Sequence, residues 1–478
     1  MKKPSMSFVG RKLELDTLRD ELSAVRSHGE GRFVWISGRR RVGKSRLVQE
    51  FVEASDERYV FYQAPRRSRS DGLQRFREAL EESTLAAAEQ VLEGARFESW
   101  PAALRLSCAN ATAEHPAVIV IDELPYLVES DPGIPADIQQ AWDRDLQHRP
   151  VLLVCIGSDA RMMSALTQHP AELFGRPTRE LVVQPFSPRD LAALSHLAAV
   201  EAFDRYLIVG GLPMLARSWP DRASRQQYLK GAFADPSSPL VVDGMRILDA
   251  EFPAELQARG VLEAIGHGER TFSAIGARSG VANHTALTTA LNALVAKGIV
   301  EARLPYAAPP GRKNKRYVVV DPYLRFWLRF VAPGGVEEVD RGRGDLLLAR
   351  IERDWPTFRG VAVEPLVRQS VERLLPDERF GDARYVGGYW TRTNIPEVDL
   401  VGAAEREPRT VSFVGSIKWR ESGVFSVRDM RRLVEQRGHV PGAAESRLVG
   451  VSRGGFEADV GLDVELSPED LLDAWPAP

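Results

Sequence analysis

Arg32-Phe33-Val34-Trp35-Ile36-Ser37-Gly38-Arg39-Arg40-Arg41-Val42-Gly43-Lys44-Ser45 joins a short apolar run to a basic loop flanked by glycines. The residues behind it, 44–53, have helical spacing, with Leu47, Val48 and Phe51 on one face. Residues 38–45 fit G-x-x-x-x-G-K-[ST] in full, and they do so between a strand and a helix. Each position has a physical reason. Gly38 and Gly43 permit backbone angles and a close approach that a side chain would block. The amides of the loop, from Gly38 through Arg39, Arg40, Arg41 and Val42 to Gly43, and the helix N-terminus then face negative charge. Lys44 is expected to reach the β- and γ-phosphates of a nucleoside triphosphate, and Ser45 to ligate magnesium. ATP with Mg²⁺ is therefore the expected ligand. The three arginines either add phosphate affinity or form a solvated basic patch.

Outward from this loop, apolar runs alternate with helical stretches. Strands are expected at 59–63, 117–124, 151–158 and 180–186, with helices over 12–26, 71–114 and 187–232. Continuous apolar runs such as AVIVIDEL (117–124) mark buried parallel strands, so an α/β fold with a covered parallel sheet is predicted. Its acidic end supplies the second half of the site. Asp122 is suited to hold the magnesium, and Glu123 to polarise an attacking water. Ser158, ending VLLVCIGS, either touches the γ-phosphate region or starts the next helix as its cap. Arg176 either supplies positive charge to a transition state, in cis or in trans, or is a surface arginine.

These segments resemble the archaeal-type ATPase family, which is related to AAA+ and STAND-like P-loop ATPases. The resemblance rests on Ser7-Phe8-Val9-Gly10-Arg11-Lys12-Leu13-Glu14-Leu15, GRRRVGKS (38–45), IDELPYL (121–127), LFGR (173–176) and Tyr206-Leu207-Ile208-Val209-Gly210-Gly211-Leu212-Pro213. It implies an ATPase core with Glu123 as the catalytic acid and the Phe8–Arg11 segment near the adenine. It also implies that the turn 210–213, which by itself reads only as a link between helices, belongs to a helical lid.

Residues 247–321 have winged-helix logic: a helix, a short helix at 272–279, a turn, and a helix from Asn283 to Lys297 closed by Gly298. Leu287, Leu291, Leu294 and Val295 form the expected apolar face. GIVEARLP and RYVVVD are the expected wing strands around a basic tip carrying Arg312, Lys313, Lys315 and Arg316. Such a wing is suited to phosphate contact with DNA, which positions rather than specifies. The expected recognition helix is poor in Lys and Arg. Its His284, Thr285, Thr288 and Asn292 face either a groove or solvent, and a contact between domains or subunits is the alternative. This stretch, with Tyr323-Leu324-Arg325-Phe326-Trp327 behind it, resembles the winged-helix segment of the same family.

Residues 346–478 resemble the domain of unknown function that follows such ATPase modules and that is itself similar to PD-(D/E)xK nucleases. The resemblance points to Glu364 on a helix, Asp399 ending one strand and Lys418 in another. It also exposes a departure. Ser416 stands where the nuclease pattern has a carboxylate, and a hydroxyl is the weaker magnesium ligand. Glu397 lies on the same strand face as Asp399 and is a candidate to compensate. An inactive or binding scaffold is expected ahead of an active nuclease.

The expected division is thus 1–186 for the P-loop core, 187–240 for the lid and linker, 241–330 for the winged helix and 346–478 for the nuclease-like α/β domain. The proline- and serine-rich 234–240 and the glycine-rich 331–345 are the expected linkers. Sixty-three basic and 66 acidic residues give a net charge of -3, which argues against a coat of nucleic acid without excluding a local basic face. No apolar run reaches the roughly 20 residues of a membrane span. Cys108 and Cys155 have no metal or disulfide spacing, and a reducing cytoplasm suits them. Three functions follow: an ATPase that moves a DNA- or partner-contacting module, an ATP-dependent nuclease in mobile-element or phage-defence biology, or a STAND-like switch that assembles as an oligomer with little turnover.

Overall fold

The computed structural model describes residues 8–65, 69–85, 97–251, 256–306, 314–393, 395–406 and 409–477. The chain forms two compact units that divide at Pro185/Phe186.

In the first unit, β1 (Arg32–Ser37), β2 (Arg58–Gln63), β3 (Ala117–Asp122), β4 (Val151–Gly157) and β5 (Arg179–Val182) make one sheet in the order β2-β3-β4-β1-β5. All its pairings are parallel. The apolar runs produce this directly, because a strand covered on both faces has no polar side to present. Every residue of β3 and β4 is buried. Alternation sends Phe33, Trp35, Ile119, Ile121 and Leu153 into one core and Val34, Ile36, Val118, Val120 and Leu152 into the other. Each such Val, Leu or Ile contributes about 1.5–3 kcal/mol on burial. The helices Lys12–His28 and Lys44–Ala54 cover the second face through Leu18, Leu22, Leu47, Val48 and Phe51. Because the strands run the same way, the ends of β1, β3 and β4 lie along one edge, and β4 sits between the other two.

In the second unit, three helices, Leu256–Gly266, Phe272–Ser279 and His284–Ala296, precede the antiparallel pair β6 (Val300–Arg303) and β7 (Arg316–Val319). This is the predicted winged helix. Asn283 caps the third helix by accepting from the amides of Thr285 and Ala286, and Gly298 closes it with φ 68°. Leu287, Leu291 and Leu294 are buried; Val295, expected beside them, is 38% exposed, one position past the buried stripe.

A second, mixed sheet follows, in the order β12-β11-β10-β9-β8. Its strands are β8 (Tyr385–Trp390), β9 (Glu397–Ala403), β10 (Phe413–Lys418), β11 (Arg447–Ser452) and β12 (Val464–Leu466). The β10–β11 and β11–β12 pairs are parallel, and β8, β9 and β10 pair antiparallel.

Residues 331–345, expected to be a linker, fold instead as a helical turn, a helix at Gly335–Asp340 and the start of the helix Gly344–Leu374. The glycines misled: Val331, Val339 and Leu347 anchor the stretch in the core. Two motifs met separately in the sequence also come together here. Gly210 closes the helix Ala199–Val209 with φ 59°, and a Cβ there would fall 3.1 Å from the amide nitrogen of Tyr323. Among the described residues, no helix is long and apolar enough to cross a membrane.

Candidate nucleotide site

Strand β1 delivers Gly38, whose φ of 150° and tight packing leave no room for a side chain: a Cβ would lie 2.4 Å from the Val183 carbonyl oxygen. The loop then passes through positive φ at Arg41 (67°) and Gly43 (93°) before the helix Lys44–Ala54 begins. Lys44 is 6% exposed, and its Nζ donates to the carbonyls of Gly38 at 2.9 Å and Arg39 at 2.8 Å. Burial lowers its pKa to about 8; the negative charges of Glu123 and Asp122 oppose that shift and Arg40 adds to it. Arg40 donates to the Tyr126 hydroxyl at 3.0 Å, so at least one of the three loop arginines is tied to the helix behind the acidic strand.

Asp122 is 1% exposed at the end of β3. Burial raises the pKa of its carboxyl; the Ser45 hydroxyl opposes this, and the charge of Glu123 reinforces it. Its Oδ1 accepts the Glu123 amide at 3.0 Å, while Oδ2 is buried without a well-formed hydrogen bond. A buried carboxylate oxygen lacking a full partner, beside a hydroxyl, is a hard-oxygen donor set that fits Mg²⁺. Glu123 starts the helix Leu124–Ser130 with φ 57°, a left-handed conformation that costs a non-glycine residue about 1–3 kcal/mol. Ser158 follows β4, and its Oγ donates to Glu123 Oε2 at 2.6 Å. The helix cap at this point is Asp159, which accepts from the Met162 amide, so Ser158 is left to engage the acid.

The loop, Asp122, Glu123 and Ser158 therefore meet at one sheet edge. Arg176 does not join them. Its neighbour Thr178 donates its amide to the Phe33 carbonyl, at the opposite end of the sheet, and its guanidinium pairs with Asp143 at 3.0 Å. A role in cis on this P-loop is thereby corrected, since a parallel strand puts what precedes β5 at the far edge. Sequence reasoning also missed a contact: the Arg11 guanidinium donates to the carbonyls of Val42 and Gln184, clamping the end of the loop. The signal in the sequence was an arginine at the start of a helix; the structure adds its left-handed φ of 68°.

Residues 8–205 match the family model of an ATPase domain found predominantly in Archaea, and residues 327–433 match that of archaeal and bacterial proteins of unknown function. Residues 8–205 are thus similar throughout to an archaeal-type P-loop ATPase domain. An uncharacterized protein of Methanocaldococcus jannaschii is 24% identical over 429 residues, covering 89% of this chain and 90% of its own. The chain is also similar to the Walker-type ATPase of Pyrococcus abyssi (16% identity, 67% of this chain, 96% of that one, TM-score 0.47). The Aeropyrum pernix ORC2 protein in ADPNP–ADP complexes is similar as well (14% identity, 73% and 96%, TM-score 0.43).

The other predicted residues lie in the second unit. Arg312 and Lys313 lie outside the described residues. Lys315 is exposed. Arg316 is not a surface cation: it is 7% exposed, pairs with Glu397 at 2.5 Å and stacks over Trp390 at 4.4 Å. The expectation that it meets phosphate is corrected, because strand alternation turns it inward. The same pair occupies the carboxylate of Glu397, which shares a strand face with Asp399 and acts with it on Glu364.

Glu364, Asp399, Ser416 and Lys418 do converge. Ser416 Oγ and the Ile417 amide donate to Asp399 Oδ2 at 3.1 and 2.8 Å. Burial pushes the Glu364 carboxyl up, against the pull of Arg368. Burial lowers Lys418, against Asp399 and Asp429. Arg368, which was not foreseen, donates to Glu364 at 3.0 Å and to the Asp399 carbonyl at 2.8 Å. Its four-residue spacing from Glu364 was the available signal.

Proposed function

We propose that the chain is a Mg²⁺-dependent ATPase whose nucleotide cycle drives a DNA- or partner-contacting module. The observation that carries this reading is the meeting of Lys44, Asp122, Glu123 and Ser158 at one sheet edge, with the Ser158 hydroxyl 2.6 Å from Glu123. In it, the loop amides and Lys44 bind the phosphates, and the Phe8–Arg11 segment borders the adenine. Ser45 and Asp122 hold the ion, which would neutralise charge on the β- and γ-phosphates. Glu123 orients and polarises water, and Ser158 fixes the rotamer of Glu123.

In the second unit, the wing contributes Arg312, Lys313 and Lys315 to sequence-tolerant phosphate contact. The alternative is a protein or second-copy contact at the same surface. The nuclease-like sheet serves as a scaffold. Asp399 is satisfied by the Ser416 hydroxyl and a backbone amide, and Glu364 by Arg368, so the chain's own donors meet the acids that a metal would bridge.

Steady-state hydrolysis tests the reading. Glu123→Gln should keep ATP binding and slow turnover by at least about a hundredfold, the scale of general base catalysis. Turnover equal to wild type would remove Glu123 from that role. A switch with little turnover is favoured by the same Ser158–Glu123 bond if it holds the carboxylate away from water, and wild-type turnover on the scale of hours would support it.

A further inference from the structure

Within the second unit, the winged helix, the long helix Gly344–Leu374 and strand β8 enclose a cavity of about 220 Å³. Six arginines line it: Arg270, Arg303, Arg316, Arg325, Arg329 and Arg368. Among the described residues, the one carboxylate on its wall is Glu364. Such a concentration is foreign to a chain whose net charge is -3.

Four of the six guanidiniums are matched. Arg316 pairs with Glu397, Arg303 with Glu301, Arg329 with Asp354 and Arg368 with Glu364. Arg325 makes no ion pair with a carboxylate among the described residues; it donates to the carbonyls of Val319 and Ala362. Arg270 has no ion-pair partner among the described residues. Among the described residues, six guanidiniums face these four carboxylates and Asp321, whose charge acts on Arg325, so the cavity keeps net positive charge. The positive charge is concentrated: burial, with the charges of Arg303 and Arg270, lowers the pKa of Arg325 to about 10, against the pull of Asp321 and Glu364. Like charges held together around a cavity are costly unless an anion enters.

Ile265, Phe358, Val361, Ala362 and Pro365 make an apolar part of the wall, beside His267 and Thr357. From these observations we infer a binding site for a small phosphate monoester, with the phosphate between Arg270 and Arg325 and its organic part against Phe358 and Val361. A phosphate monoester carries about −1.5 to −2 at neutral pH, opposite in sign to the cavity, and guanidinium forks suit its oxygens. Arg325 belongs to the segment 323–327 that the nucleotide site does not use.

Calorimetric titration of the full chain tests this, with ADP and Mg²⁺ in excess so that the P-loop does not compete. The probes are ribose 5-phosphate, phenyl phosphate, inorganic phosphate, ribose and succinate. Saturable one-to-one binding of a phosphate ester is expected, with ribose silent and succinate weaker. Arg270→Ala should weaken it at least about tenfold, the loss of a charge-assisted hydrogen bond. Val361→Trp, which fills the 40%-exposed mouth without removing charge, should weaken it comparably. Both variants should keep the wild-type ADP affinity, and Arg270→Ala, relieved of like charge, should melt no lower than wild type. The proposal falls if no ester binds in the low millimolar range, if succinate binds as tightly, or if Arg270→Ala binds like wild type. It also falls if a 5′-phosphorylated oligonucleotide binds while the small esters do not. Failure of ADP to bind would count against the P-loop reading alone, because the esters would still titrate.

Discussion

Ser158 Oγ donates to Glu123 Oε2 at 2.6 Å across the ends of two adjacent strands, β4 and β3. A short bond to a carboxylate fixes its rotamer, and a water-activating acid must be aimed. Ser158→Ala should leave ATP binding within about twofold and lower kcat roughly 10–100-fold, the worth of one hydrogen bond to a charged group. Steady-state phosphate release measures it. A rise in kcat would mean that the serine restrains the acid, and would favour the switch.

Lys44 gives a pH signature with a definite sign. Its folded pKa is about 8 against 10.5 for an ordinary lysine, because burial disfavours the charge. Between those values the unfolded chain binds the extra proton, so stability of the nucleotide-free protein should rise as pH climbs from about 8 toward 10.5. ATP binding needs the charged form. Its affinity should therefore fall as pH rises above about 8, with proton uptake on binding, measurable by calorimetry in buffers of different ionisation heat. Lys44→Ala should weaken ATP more than tenfold and abolish this uptake. Equal proton uptake in that variant would assign the titration to another group.

The first unit was largely legible because its signals are local. A glycine loop between strand and helix, and a run of six buried residues ending in Asp122, declare themselves by spacing alone. Arg176 was not legible in this way. Its type suited catalysis, but the direction of β5 put it at the far edge, and direction is a property of the sheet. Arg316 failed for a similar reason: in the sequence it extends a basic run, whereas in the strand it alternates inward to Glu397 and Trp390. Residues 331–345 look like a linker by composition, yet buried valines pull them into the core. The arginine cavity was invisible, since its lining comes from positions 265 to 390.

Arg316 should accordingly behave as a structural residue. Arg316→Ala leaves Glu397 without its partner and removes the stacking on Trp390. A fully buried pair broken this way costs about 3–5 kcal/mol, and because the Glu397 side chain is 35% exposed about 1–3 kcal/mol is expected here. Denaturant unfolding reads this directly. Any salt-sensitive DNA binding should weaken instead in a variant with Arg312, Lys313 and Lys315 all changed to alanine, at unchanged stability. The reverse pattern would place Arg316 at the DNA surface after all.

Ser416 decides what the C-terminal sheet can do. The residue is 5% exposed, and its hydroxyl helps an amide to satisfy Asp399. Wild type should therefore give no Mg²⁺- or Mn²⁺-dependent nicking of supercoiled plasmid, with or without ATP. Nicking that vanished in Asp399→Ala would overturn this. Ser416→Glu is the sharper probe. It replaces a donor with a second carboxylate against Asp399, in a site where burial already raises Glu364. Like charges without a cation should lower the melting temperature by several degrees, on the order of 2–4 kcal/mol of lost stability. If the scaffold retains metal-site geometry, millimolar Mn²⁺ should restore much of that loss in the variant and leave wild type unmoved, because only the variant supplies the missing ligand. A variant that stays destabilised at every Mn²⁺ concentration would show that Arg368, bridging Glu364 and the Asp399 carbonyl, has closed the site to cations. The double variant Ser416→Glu/Arg368→Ala would then test whether removing that guanidinium reopens it.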